Sequence, residues 1–69
     1  MIDVTIKGEF VELYKVLKFE GLTISGGEAK SVIANGEVRV NGQIETRKRK
    51  KILPGDIIHF DQHELRISI

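Results

Sequence analysis

SGGEAKSVIANGEVRVNGQIETRKRKKILPGD, residues 25–56, reads in order as a capped helix, a sharp stop, a strand, a tight turn and a block of positive charge. Ser25 followed three residues later by Glu28 is a capping box, in which the serine oxygen takes the Glu28 N–H and the Glu28 carboxylate reaches back to the Ser25 N–H. A helix starts there. Ala29, Val32 and Ile33 fall at i, i+3 and i+4 on one apolar face, while Lys30 falls off that face toward solvent. Asn35-Gly36 ends the helix, since glycine takes the left-handed conformation that helix termini commonly require. Val38 and Val40 alternate with Glu37 and Arg39, the period of a half-buried strand. Asn41-Gly42 then signals a two-residue hairpin turn, whose central positions both need positive φ. The return strand opens at Gln43-Ile44 and leads into Arg47, Lys48, Arg49, Lys50 and Lys51, five cations in succession.

The 69 residues amount to one small domain, 1–69, with 41% hydrophobic and 30% charged residues, an ordinary globular balance. Without cysteine, neither a disulfide nor a thiolate metal site can support so small a core. Charged residues interrupt the first ten positions, and no apolar run approaches the ~20 residues of a membrane span, so the expectation is a cytoplasmic protein without signal peptide or membrane association. The net charge of +1 conceals a segregation: outside residues 47–51 the chain holds six basic and ten acidic residues, about −4 by counting. A mildly acidic body with one basic edge is the footprint of a polyanion binder.

Ile2, Val4 and Ile6 alternate as a first strand closed by Gly8. Phe10, Leu13, Tyr14 and Leu17 fall at i, i+3, i+4 and i+7, the stripe of an amphipathic helix that Gly21 ends. Ile24 stands where a hydrophobic staple would sit. Leu53-Pro54-Gly55-Asp56 suits a type II turn, and two further strands carry Ile58 and Phe60, then Leu65, Ile67 and Ile69, on single faces around a turn at Asp61-Gln62. The expected fold is α+β: two packed N-terminal helices against a small, mostly antiparallel sheet of about five short strands.

Ser25 followed by Ala29, Lys30, Ile33, Gly36, Val38, Val40, Asn41 and Gly42, and later by Pro54, Gly55, Asp56 and Ile58, resembles the RNA-binding domain named after ribosomal protein S-four, the alpha-L motif. The resemblance runs from the first helix through the strand after Asp56 and implies a small stand-alone protein that binds structured RNA, ribosomal or transfer RNA foremost, on the face made by the two helices and the hairpin. It departs from the family pattern at Gly26, where an arginine is common, and at Glu9 and Glu12, where basic residues are common. The grip on RNA is therefore expected to have moved toward the loop after the hairpin.

The candidate RNA-binding residues are Ser25, Gly26, Lys30, Arg39, Arg47, Lys48, Arg49, Lys50 and Lys51, with Asn41 and Gly42 as the turn that positions them. Each has a plainer reading beside the functional one. A lysine-rich edge also protects a strand from aggregation; Ser25-Gly26-Gly27 is first an N-cap, and only then a phosphate seat on free amides; Arg39 could pair with a nearby acid. His59 and His63 lack the partners that would complete a metal set. Tyr14 reads as core, and with aromatics at 6% and assigned mostly to the core, recognition of shape and phosphates in folded RNA is favoured over stacking on single strands. No nucleophile with its base, metal cluster or phosphate-cradling loop can be assembled, so neither an enzyme nor a cofactor or small-molecule substrate is expected. A sulfur carrier would end in Gly-Gly, whereas this chain ends in Ser68-Ile69. The alternative to RNA is a protein-interaction adaptor whose basic loop docks on an acidic partner.

Overall fold

The computed structural model describes residues 1–69. Its elements are β1 (Ile2–Thr5), β2 (Val11–Glu12), α1 (Leu13–Phe19), α2 (Gly26–Ala34), β3 (Val38–Val40), β4 (Gln43–Ile44), β5 (Lys51–Ile52), β6 (Ile57–Phe60) and β7 (His63–Ser68). Five strands form one sheet in the order β1-β7-β6-β3-β4, and β2 pairs with β5 in a separate ribbon. Within the sheet only β1 and β7 run parallel. No helix is long and apolar enough to cross a membrane.

The α+β class and the mostly antiparallel five-stranded sheet agree with the sequence, but the helices are not N-terminal, because β1 and β2 precede them. α1 also begins at Leu13, not Phe10, since Val11 and Glu12 are drawn into pairing with Ile52 and Lys51. Leu13, Val16 and Leu17 are the residues that α1 buries. This shift of three residues leaves Phe10 outside the helix and 41% exposed.

Both helices end in the same way. The N–H groups of Gly21 and Leu22 donate to the carbonyls of Lys18 and Leu17, and those of Gly36 and Glu37 to Ile33 and Val32, so each glycine at positive φ closes a Schellman motif. Their starts differ. Ser25 Oγ caps α2 by accepting the Glu28 N–H at 3.1 Å, but the Glu28 carboxylate takes the Ile24 N–H at 2.8 Å and not that of Ser25. The expected staple is absent: Ile24 is 92% exposed. The closing turn of α1 sends Leu22 inward instead, and buried Thr23 donates to the Ser25 carbonyl, which turns Ile24 outward. α1 has no side-chain cap at all. Its first two N–H groups, those of Leu13 and Tyr14, donate to the carbonyls of Lys50 and Lys48 at 3.0 and 3.1 Å, so the basic loop itself caps the helix.

One cluster of thirteen residues forms the core, all of them aliphatic, with Leu13, Leu17, Ala29, Ile33, Val38, Ile52, Ile58 and Leu65 wholly inaccessible. Each large aliphatic side chain buried in this way contributes about 1.5–3 kcal/mol. Ile69 does not join Leu65 and Ile67, being 85% exposed at the chain end. Of the other aromatic rings, Phe19 is 67% exposed, whereas Tyr14 and Phe60 are half-buried and pack against the core.

The hairpin is tied to the later turn by side chains. Asn41 (φ +53) and Gly42 (φ +86) form the two-residue turn, and the Asn41 amide donates to Asp56 Oδ1 at 3.0 Å while its oxygen accepts the Ile57 N–H at 2.9 Å. Asp56 Oδ2 in turn accepts the Leu53 N–H across the Pro54-Gly55 turn. Segment 43–52, which carries the basic block, therefore leaves and re-enters the fold between clamped ends.

Candidate nucleic-acid interface

The basic block is a loop between β4 and β5 that folds back onto the start of α1, and that docking decides where its charges lie. Tyr14, in the first turn of α1, is the meeting point. The Lys30 Nζ from α2 stands 4.7 Å from the ring centroid, the Arg49 guanidinium from the loop 5.6 Å and the Lys15 Nζ 6.0 Å. Cations over an aromatic face gain ~0.5–1 kcal/mol at exposed sites. The consequence here is geometric, since charges from three segments are held around one ring. Gly26 lies against the same ring, where an added Cβ would stand 3.8 Å from Tyr14 Cε2, an ordinary contact.

The loop cations are not equivalent. Arg47 is engaged: its Nε and Nη2 donate to the two Glu45 carboxylate oxygens at 2.9 and 3.0 Å, and its backbone N–H donates to Glu45 as well. Arg49 is partly engaged, 3.7 Å from the Glu12 carboxylate that Lys15 approaches to 3.1 Å. Lys48 and Lys50 have no ion-pair partner within 4 Å, and the Lys51 Nζ sits 4.9 Å over the Phe10 ring. Arg47, Arg49, Lys50 and Lys51 alone line one shallow depression of the surface. A concave wall of four cations concentrates positive potential.

The remaining candidates separate. Ser25 is engaged as the cap of α2. Asn41 is engaged by Asp56 and Ile57, so with Gly42 it holds the loop's entry point. Arg39 is not brought to the cluster: Val38 and Val40 on either side of it enter the core, so Arg39 stands on the outer face of the sheet, paired in register with His59 and Ile44. His59 is bonded to Glu64 at 2.7 Å. Sequence reasoning assigned Tyr14 to the core, noted Glu12 only as a departure from the family pattern, and left Lys15 and Glu45 out of the candidate site. Glu45 was the detectable one, an acid two residues ahead of Arg47 at the foot of the loop.

The Arg47 side chain holds the Glu45 carboxyl down at about 2, against an ordinary 4.5, chiefly through its hydrogen bonds, with the Arg47 amide and charge and the Lys50 charge adding to the effect. A carboxyl depressed on folding stabilises the native state fully above its unfolded value, and that contribution is lost as pH falls through the folded value. Between pH about 5 and about 2 the wild type should therefore lose more stability than Glu45→Gln, as read by urea unfolding followed by circular dichroism. The difference should be small, because the Arg47 side chain is 72% exposed and solvent screens the pair.

Compared with known proteins, residues 4–68 match the family model of the S4 domain. The chain belongs to the S4 domain family. This S4 domain is 46% identical over 61 residues to the Escherichia coli (strain K12) protein named "Putative RNA-binding protein YbcJ", covering 88% of this chain and 87% of that one. It is 31% identical over 58 residues to the Bacillus subtilis (strain 168) protein named "Probable ribosome maturation protein RlbA", covering 84% and 82%. The solution structure of E. coli YbcJ, described as revealing an alfaL motif involved in RNA binding, superposes with a TM-score of 0.77 at 41% identity over all of this chain and 89% of that one.

Proposed function

We propose that this S4 domain binds structured RNA, gripping phosphates with Lys30 from α2, with Lys48, Arg49 and Lys50 from the β4–β5 loop and with Lys51 at the start of β5. The observation that carries the reading is the convergence on Tyr14, which gathers Lys30 and Arg49 beside the unpaired loop lysines into one cationic face. Phosphate contacts of this kind fix position and supply salt-dependent affinity without reading sequence. The relative named for ribosome maturation favours ribosomal RNA as the target class, with transfer RNA second. Ser25, Gly26, Asn41 and Gly42 act by placing these groups. Arg47 stays with Glu45, and Arg39 lies outside the grip.

Fluorescence anisotropy against a structured RNA pool across a salt series tests this. With three to five phosphates neutralised, log affinity should fall with log salt at a slope of about −2 to −4. Lys48→Gln should reduce the magnitude of that slope by about 1. The double variant Glu45→Gln, Arg47→Gln, which removes an engaged pair without changing net charge, should leave slope and affinity unchanged. Absence of RNA binding at low salt would overturn the reading and direct the search to an acidic protein partner.

A further inference from the structure

Phe10, just ahead of β2, and Phe19, the last residue of α1, are 41% and 67% exposed. Both line the same two adjoining depressions. The first is an apolar slot of about 240 Å³ between them, with Val4, Ile6 and Val16 in its wall and Lys7 and Glu20 among its polar lining residues. The second is an open groove in which the two rings meet Lys15, Arg49 and Lys51. The one acid of that groove, Glu12, is already held by Lys15 at 3.1 Å and Arg49 at 3.7 Å, so the groove remains cationic.

Exposed aromatic rings beside lysine and arginine suit a nucleotide: the base stacks on a ring while its phosphate lies on the cations. A slot of about 240 Å³ is below the ~300–1,000 Å³ of sites for drug-sized ligands and fits one flat ring system. An apolar protein segment would cover the rings but leave Lys15, Arg49 and Lys51 without counter-charge. A second copy of this chain, related by a two-fold axis, would set the same cations against themselves. We infer that Phe10 and Phe19 hold one unpaired base of the RNA whose backbone continues along Lys51 and Arg49. This rests on the RNA-binding reading above and adds a requirement to it, namely a bulge, loop or end beside the gripped phosphates.

The test uses a short RNA duplex with one bulged 2-aminopurine and its fully paired counterpart, titrated with the intact protein and with Phe10→Ala, Phe19→Ala and Phe19→Trp. Stacking should quench the 2-aminopurine and make the bulged duplex bind roughly tenfold more tightly than the paired one. Phe19→Ala should abolish that preference while keeping paired-duplex affinity, because Phe19 is a surface residue whose loss leaves the core intact; Phe19→Trp should restore it. Equal binding of the two duplexes by the wild type overturns the base slot and leaves the phosphate grip standing. Binding of neither overturns both. A preference that survives both alanine variants overturns the assignment to these rings, as does self-association that the alanine variants abolish while leaving the RNA preference intact.

Discussion

A Lys30→Glu, Lys48→Glu, Lys51→Glu variant should bind structured RNA on the order of a thousandfold more weakly than the wild type at low salt, since each reversal removes one phosphate contact and places a like charge in its stead. The three positions have no ion-pair partner in the fold, so no native salt bridge is broken. Lys48 caps α1 through its backbone carbonyl, which a glutamate at 48 retains. Lys51→Glu does set a second acid opposite Glu12 in the β2–β5 ribbon, at a cost of roughly 0.2–1 kcal/mol, so thermal unfolding by circular dichroism should fall by only a few degrees, separating loss of binding from loss of structure. Arg39→Glu is the matched control. On the outer face of the sheet, beside His59 in register, that reversal acts only over distance and should weaken binding by less than about tenfold. If Arg39→Glu weakened binding as much as the triple variant, the face carrying the grip would be wrongly assigned.

Ile52→Ala should destabilise the fold by ~2–5 kcal/mol, the usual cost of removing a large aliphatic side chain from a packed interior. Ile52 is wholly inaccessible and pairs with Val11 in the two-stranded ribbon, so it roots the end of the basic loop in the core. A chain of 69 residues has a total stability of only about 3–10 kcal/mol. The variant is thus expected to be substantially unfolded or to melt far below the wild type, with urea unfolding followed by circular dichroism as the measure. A cost below ~1 kcal/mol would mean that the ribbon is peripheral to the core.

What the sequence made legible was local. The cap at Ser25, the stop at Gly36 and the turn at Asn41-Gly42 are dictated by neighbours within a few residues, and all three stand where the sequence places them. The hidden parts were settled by partners distant in sequence. The β2–β5 ribbon is two residues long on each side, too short for a periodic signal, yet it resets the start of α1 from Phe10 to Leu13. The apolar spacing 10, 13, 14, 17 fits either start, and only the pairing of Val11 with Ile52 decides between them. From that one shift Phe10 leaves the helix, while Tyr14 stays packed against the core with its partly buried ring beside Lys30 and Arg49. Within the candidate site, the positive run was plain, but its division into engaged Arg47 and unpaired Lys48 and Lys50 depended on how Glu45 turns at the foot of the loop.

The segment from Arg47 to Lys50 looks like the natural place to lengthen this protein, being polar, surface-lying and joined to very short strands. Its carbonyls at Lys48 and Lys50, however, are the only caps on the first two amides of α1. An extra residue between them would shift one carbonyl out of register and leave a helical N–H without its partner. Surface position and tolerance to insertion therefore part company at this loop, and an affinity tag or reporter peptide belongs instead at the Asp61-Gln62 turn, whose residues are exposed and cap no helix.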